Sequence, residues 1–265
     1  MSAIPQYTWM QTAPPLWVAL ILFFILVLTF MLGHRIRIRM ARRNPDTEKV
    51  ELSTINGMLL GLLGLLLAFS FSMSNSRFDT RRGLIVEEAN DIGTVVLRTY
   101  ILPDSVGVPL RESLRLYVEE RIAFYESRAN YTNAAMHYLR ADSLSRKIWS
   151  AVSRQARLDN ISVRTSEIIP ALNAMIDITA TRRAAGEGTI PDSILYFLFV
   201  LCITSSFLIG YDNKGPIHWI VVVGFAAMLS ATVFTIIDLD RPRTGVINMD
   251  SPHQRMVDLR GMFAQ

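Results

Sequence analysis

The hydrophobic positions of this chain fall into four long blocks instead of the narrow stripes of a water-soluble helical protein. The uncharged runs are residues 16–33, 52–76, 193–211 and 215–237. A helix of about 20 apolar residues crosses the ~30 Å hydrocarbon core of a bilayer. In each run apolar residues cover the whole helix circumference, which favours a membrane span over a buried core helix. The pattern predicts four transmembrane helices, grouped two and two.

A polar segment of helical periodicity separates the two pairs. No proline or turn cluster interrupts the chain between the second span and Arg98, so the span is predicted to continue as a helix beyond the membrane. Pro103, Gly107 and Pro109 then end that helix. Three further segments have apolar residues at helical spacing, and the last runs from about Ser162 to Ala185. Their predicted inward positions include Leu110, Leu114 and Tyr117, then Met136, Leu139, Ile148 and Val152, then Ile168, Leu172 and Met175.

The predicted fold class is therefore all-α, with four transmembrane helices and a helical soluble domain inserted between the second and third spans. The domain prediction is a first transmembrane pair over residues 1–76 with a basic loop at 34–51, the soluble domain over 77–192, a second pair over 193–237, and a polar C-terminal tail over 238–265. The N-terminal residues lack a basic segment, so we expect no cleavable signal peptide.

Charge near the first span indicates the orientation. The six basic residues that follow it are Arg35, Arg37, Arg39, Arg42, Arg43 and Lys49. Short basic loops remain cytoplasmic, which predicts a periplasmic soluble domain in a bacterial inner membrane. Further arginines near span ends on the opposite side favour the reverse orientation. The basic cluster also suits anionic lipid head groups.

The composition of the chain argues against nucleic-acid binding, a metal site and catalysis. The chain of 265 residues has a net charge of +4, but its arginines form no stripe with interleaved aromatics, so we expect no nucleic-acid partner. The single cysteine, Cys202, and four scattered histidines predict no metal site, and we expect no cofactor. No nucleophile motif or phosphate-binding glycine loop is present, so no catalytic residue is predicted and the protein is interpreted as a non-enzyme.

The second span carries the candidate functional residues. Gly57, Gly61 and Gly64 form a small-residue ridge of the kind that allows close helix packing, and Gly93 further along is interpreted in the same way. The pore-lining candidates are Asn56, Phe69, Ser70, Phe71, Ser74 and Asn75. In one interpretation this helix lines an oligomeric pore with a phenylalanine constriction. In the other, the small residues pack inside the chain and the serines lie at the water interface.

A motif at the end of the second span resembles that of a known family. The segment FSFSMSNSRFDTRRGLIVEEANDIGTVVLRTYILPD and the tail LDRPRTG are similar to the signature of the bestrophin-like family of bacterial membrane proteins. The polar residues of the motif are Arg77, Asp79, Glu88, Asn90, Arg98, Asp240, Arg241 and Arg243. Glu88 and Arg98 are expected to pair between helices or subunits. Arg241 and Arg243 are expected to bind lipid phosphate or to pair with Glu87 or Glu88.

The resemblance extends more loosely to the true bestrophins, which are pentameric anion channels lined by the second span. It implies a homo-oligomer, a pentamer by that likeness, in contact with membrane lipids and passing chloride or another small anion. It also implies a cytosolic large domain, whereas the first basic loop favours a periplasmic one. The leading functional hypothesis is an oligomeric anion channel. The alternative is a membrane-anchored sensor or scaffold whose helical domain binds a protein or envelope partner.

Overall fold

The chain folds into α-helices. The computed structural model describes residues 13–43, 53–127, 130–158, 162–241 and 245–264, and within these ranges it contains no strand. The helices are α1 (Pro15–Arg43), α2 (Ser53–Arg98), α3 (Asp104–Glu126), α4 (Tyr131–Leu158), α5 (Ser162–Glu187), α6 (Asp192–Asp212), α7 (Trp219–Asp240) and α8 (Asp250–Asp258), with short 3₁₀ turns at Thr99–Ile101 and Leu259–Phe263. The predicted all-α fold class is confirmed.

Within the described parts of the chain, four regions are long and apolar enough to cross a membrane, and they lie within Pro15–Arg43, Ser53–Ile101, Ser166–Asp212 and Trp219–Asp240. One detail of the prediction is wrong. The basic residues 35–43 do not lie in a loop, because α1 continues to Arg43. Neither glycine nor proline occurs between His34 and Arg43 to end the helix. The rest of the predicted loop, with Lys49, lies outside the described residues.

The chain divides into two compact units, which are described separately. Unit 1 comprises Met1–Ser76 and Thr189–Arg241, and unit 2 comprises Arg77–Gly188 and Pro242–Gln265. In unit 1, α1 packs against α6 and α7. The deeply buried apolar side chains of this unit include Leu26, Leu63, Leu198, Cys202, Val233 and Ile236.

Two glycines explain how closely α1 and α6 pack. A Cβ atom added to Gly33 would collide with the backbone of Phe207, and one added to Gly210 would collide with the backbone of Phe30. Only glycine at both positions permits this approach of the two helix backbones. Close glycine packing was predicted on the second span, and Gly33 and Gly210 were not among the predicted packing residues.

Unit 2 has a separate core made by the second part of α2 together with α3, α4, α5 and α8. The predicted inward residues of α3 and α5 are buried: Leu110, Leu114, Tyr117, Ile168, Leu172 and Met175. The C-terminal tail, which the sequence analysis treated only as polar, also contributes Met256 and Leu259 to this core.

The predicted inward face of α4 is only half correct. Ile148 and Val152 are buried, but Met136 and Leu139 are 41% and 63% exposed. The buried face begins instead with Ala134 and Ala141. These alanines lie on the same side of the helix as Ile148, because seven residues make about two turns. Their short side chains allow the neighbouring helix to approach.

Candidate functional site

The apolar part of α2 has two faces with different surroundings. At 100° per residue, Gly57, Gly61, Gly64, Ala68, Phe71 and Asn75 lie along one line of the helix. All six are exposed in the single chain, and we call this line the open stripe. Leu63, Ser70 and Ser74 lie about 100–140° away around the helix, on one side of this line, and are buried. The apolar part of this helix therefore presents one complete face to something outside its own chain.

The predicted pore-lining residues divide between these two faces. Phe71 and Asn75 lie on the open stripe, and Phe69 is exposed about 120° away from its centre. Ser70 and Ser74 lie inside unit 1, where the Ser74 hydroxyl donates to the carbonyl oxygen of Ile236 at 3.0 Å. These two serines are not available to line a pore in the arrangement observed.

Asn56 lies near the beginning of the same helix and is half-buried. Its side-chain amide donates to the Asp212 carboxylate at the end of α6, with an Nδ2–Oδ2 distance of 3.0 Å. Because this bond joins α2 to α6 within one chain, it gives Asn56 a local structural role in unit 1.

The glycines predicted to pack have open surroundings. Among the described residues, no atom lies within 4 Å of a Cβ atom built on Gly57, Gly61 or Gly64. At Gly93, which belongs to unit 2, the added Cβ would make ordinary contacts of 3.6 Å with Leu259 and Met262. The open surroundings of the first three leave room for a second copy of the chain, for lipid or for water.

The end of α7 is anchored by the acidic and basic residues of the predicted family tail. The Asp240 carboxylate accepts a hydrogen bond from the Ile190 backbone N–H at 3.0 Å. The Arg241 guanidinium donates to the carbonyl oxygen of Ala13. Both contacts lie within unit 1. Arg243 lies outside the described residues.

Unit 2 contains a buried cluster of three charged side chains. The Glu88 carboxylate, 0% exposed, accepts hydrogen bonds from Arg121 of α3, with Nε–Oε1 and Nη2–Oε2 distances of 2.5 and 3.0 Å. It also accepts a hydrogen bond from Arg182 of α5. The cluster joins three helices around one carboxylate. Its charge is the sum of one anion and two cations, which leaves a buried excess of one positive charge.

Electrostatics keep Glu88 ionised. Burial alone would raise the pKa of this carboxyl group, but the guanidiniums of Arg121 and Arg182 outweigh that effect and hold the pKa at about 2. Burial, together with the nearby Glu88 charge, raises the pKa of Tyr117 to about 12. The Tyr117 hydroxyl lies 3.0 Å from Thr179 Oγ1. A neutral tyrosine and an ionised glutamate therefore coexist in one core.

The predicted pairing of Glu88 with Arg98 is wrong. Arg98 instead lies 3.5 Å from Glu167 of α5, on the surface of unit 2. Glu88 and Arg98 are ten residues apart along α2, so they project in directions about 80° apart and nearly three turns from each other. A sequence signal for the true partners exists, because Arg121 and Arg182 each continue an otherwise apolar inward stripe of their own helix.

Three further residues of the predicted motif lie in unit 2. Arg77 is half-buried, with a guanidinium nitrogen close to Gly188, while Asp79 and Asn90 are exposed. Arg81, one of the further arginines near the ends of the spans, is buried and donates to the carbonyl oxygens of Ala185 and Gly188. These carbonyls lie at the C-terminal end of α5, where cations are favourable. Within the described ranges, no group of three or more His, Cys, Asp or Glu residues is placed to hold a metal ion.

Comparison with known proteins gives one family and one fold. The model of the Bestrophin-like domain matches residues 24–251. Crystal structures of a bacterial Bestrophin homologue from Klebsiella pneumoniae have a similar fold. A tryptophan-to-alanine variant matches with a TM-score of 0.68 at 15% identity, covering 96% of this chain and 99% of that one. The structure phased with zinc matches with a TM-score of 0.65 at 13% identity, covering 91% and 98%. None of the curated proteins matches this chain.

Proposed function

We propose, from the premise that this chain belongs to the Bestrophin-like family, that it is one subunit of an oligomeric membrane channel for chloride or another small anion. The observation that carries the proposal is the open stripe of α2. Only 11% of an apolar 18-residue stretch of this helix is buried in the single chain, whereas 33–39% of the corresponding stretch is buried in each of the other three candidate spans. A helix with this low burial fits a place at the centre of an assembly, where its exposed face meets other copies and a water-filled axis.

The open stripe has the composition of a narrow pore. Its glycines and Ala68 leave space, Phe71 supplies an apolar constriction that gates by dewetting, and Asn75 supplies a polar group near the end of the span. The assembly is a pentamer by likeness to the true bestrophins. The pore-lining set is therefore revised: Phe71 and Asn75 are retained, the glycines are added, and Ser70, Ser74 and Asn56 are assigned to packing within the chain.

Single-channel recording in planar bilayers tests this assignment. Phe71→Ala widens the proposed constriction, so we expect a higher conductance or a higher open probability under a chloride gradient. Phe69→Ala removes an equally large and more exposed ring from the side of the stripe and is the matched control, for which we expect wild-type currents. Silence of the wild-type protein would contradict the channel, and equal effects of the two variants would contradict the assignment of Phe71 to the constriction.

The mass of the detergent-solubilised protein, measured by light scattering, gives an independent test. An axial pore requires several copies of α2 around one axis, so a monomer that persists in mild detergents and in nanodiscs would exclude it.

A second candidate function is a membrane-anchored sensor or scaffold. It is favoured by the burial of Ser70 and Ser74, because an anchor needs no polar face directed to an axis. If the recordings show no current while unit 2 binds an envelope protein, the scaffold hypothesis replaces the channel hypothesis.

Unit 2 is proposed to lie in the periplasm, because the basic residues at the end of α1 favour the cytoplasmic side for that end of the helix. Thiol labelling of Ser143→Cys in a Cys202→Ser background measures this, with Ser53→Cys as the site on the opposite side. Labelling of Ser143→Cys only after permeabilisation would place the unit in the cytosol.

A further inference from the structure

A surface cavity of unit 2 lies between α2 and α8. Its volume is about 260 Å³. The residues that line it are Arg82, Val86 and Asn90 from α2 and Ser251, Pro252 and Arg255 from α8. Arg82, Val86 and Asn90 are four residues apart, which places them on successive turns of one helix face. We call this cavity the arginine groove.

Both arginines of the groove lack a partner among the described residues. Neither Arg82 nor Arg255 takes part in any of the ion pairs or hydrogen bonds of the described chain, although both are in the folded part of unit 2. Two other exposed arginines of the same unit are paired with carboxylates. Arg115 contacts Glu112 at 2.7 Å, and Arg260 contacts Glu119 at 2.7 Å.

Among the described residues, the lining of the groove contains no carboxylate that would neutralise these charges. Asp250, at the start of α8, accepts a hydrogen bond from the Tyr125 hydroxyl at 2.9 Å. Glu87 follows Val86 on α2 and therefore projects about 100° away from it. Two like charges from different helices converge on one concave surface, which favours an anion.

The remaining lining groups suit an anion with several oxygen atoms. The Asn90 amide and the Ser251 hydroxyl are hydrogen-bond donors, and each guanidinium offers a planar pair of donors that matches two oxygens of one anion. Val86 and Pro252 give the groove an apolar wall for the rest of a larger ligand. A single chloride ion would use few of these donors.

We propose that the arginine groove binds a phosphate group, held by Arg82 and Arg255 and oriented by Asn90 and Ser251. The phosphate belongs to an anionic lipid head group or to a soluble phosphate compound. The volume of the groove accommodates the phosphate and part of the group to which it is attached. This binding does not depend on ion conduction, so it is measured without any recording of current.

The test uses the full chain purified in detergent. Inorganic phosphate is titrated by calorimetry at constant ionic strength, with chloride as the balancing anion. In a parallel arm, native mass spectrometry counts the phosphatidylglycerol molecules that remain bound. The double variant Arg82→Gln with Arg255→Gln is compared with Arg154→Gln. Arg154 is an exposed arginine of α4 that does not line the groove and makes no ion pair among the described residues.

We expect the double variant to bind inorganic phosphate at least tenfold more weakly than the wild type, while Arg154→Gln stays within twofold. If the wild type binds inorganic phosphate tightly and the double variant does not, the ligand is a soluble phosphate compound. Loss of one phosphatidylglycerol in the double variant alone, with weak inorganic phosphate binding throughout, identifies the lipid head group. If the double variant equals Arg154→Gln in both arms, the proposal is overturned.

Discussion

The two parts of helix α2 reverse the usual relation between hydrophobicity and burial. The apolar part, Ser53–Ser76, is mostly exposed in the single chain, with Leu63, Ser70 and Ser74 as its buried positions. The polar part, Arg77–Arg98, is buried along one whole face. The buried residues of this part are Arg81, Ile85, Glu88, Ala89, Ile92, Gly93, Val95 and Val96.

The difference follows from the solvent of each part. Lipid chains are as apolar as leucine, so an apolar span gains little by covering its side chains with protein, and close backbone contacts and hydrogen bonds decide the packing. In water, burial of apolar surface is the main favourable term, and even a helix with many charged residues must cover its apolar face. Burial therefore identifies the core of unit 2 directly, whereas in unit 1 the exposed face of α2 is the surface to which we assign the proposed function.

The largest expected effect tests the buried part of α2. Glu88→Gln leaves the guanidiniums of Arg121 and Arg182 buried without a counter-charge, and removal of one partner from a buried ionic cluster costs about 3–5 kcal/mol. We expect that loss in the free energy of unfolding, measured by denaturant titration followed by circular dichroism. Glu167→Gln, which removes the surface pair with Arg98, should cost about 0–1 kcal/mol. Equal losses for the two variants would show that the cluster is not the centre of the core.

The next effect compares glycines within unit 1. Gly210→Ala forces a methyl group into the backbone of α1, and overpacking of this kind costs about 1–3 kcal/mol. Gly61 lies on the open stripe. Gly61→Ala should therefore leave the stability of the chain unchanged or raise it by up to about 1 kcal/mol through helix propensity. Thermal unfolding in one detergent measures both. A loss at Gly61 as large as that at Gly210 would mean that the open stripe is packed in the isolated chain.

The pH dependence of stability gives a second test of Glu88. The pKa of Glu88 is lowered from 4.5 in the unfolded chain to about 2 in the folded one. A lowered carboxyl pKa stabilises the fold above the unfolded value, and this contribution is lost as the pH falls from 4.5 towards 2. The wild type should lose stability over this window, and Glu88→Gln should lose less. Parallel curves for the two proteins between pH 5 and pH 3 would contradict the ionised buried glutamate.

The smallest expected effect distinguishes the two faces of the second span. Ser74→Ala removes the hydrogen bond to Ile236 and should cost about 1 kcal/mol of stability without changing the conductance. Ser72→Ala is the matched control, because Ser72 is exposed on the same turn. A change in conductance with Ser74→Ala and none with Phe71→Ala would reverse the assignment of the pore face.

Most of the fold could be predicted from patterns among residues that are close together in the sequence. The four uncharged runs, such as residues 215–237, each predict one span. The inward positions of α3 and α5 follow from the helical period of 3.6 residues, because a helix repeats its own geometry whatever surrounds it. The candidate site was predicted less well. Phe71 and Ser70 are adjacent in an apolar helix whose whole circumference is hydrophobic, so periodicity alone does not say which of them faces its own chain.

The helices, the four apolar spans and the family motif follow from the sequence alone, since these depend on residues close together in the chain. Three features became visible only in the folded chain: Glu88 binds Arg121 and Arg182, Gly33 and Gly210 let α1 and α6 approach, and the glycine face of α2 stays open. Each of these depends on the distance between helices remote in sequence, which is fixed by packing and charge neutralisation and not by the period of any one helix.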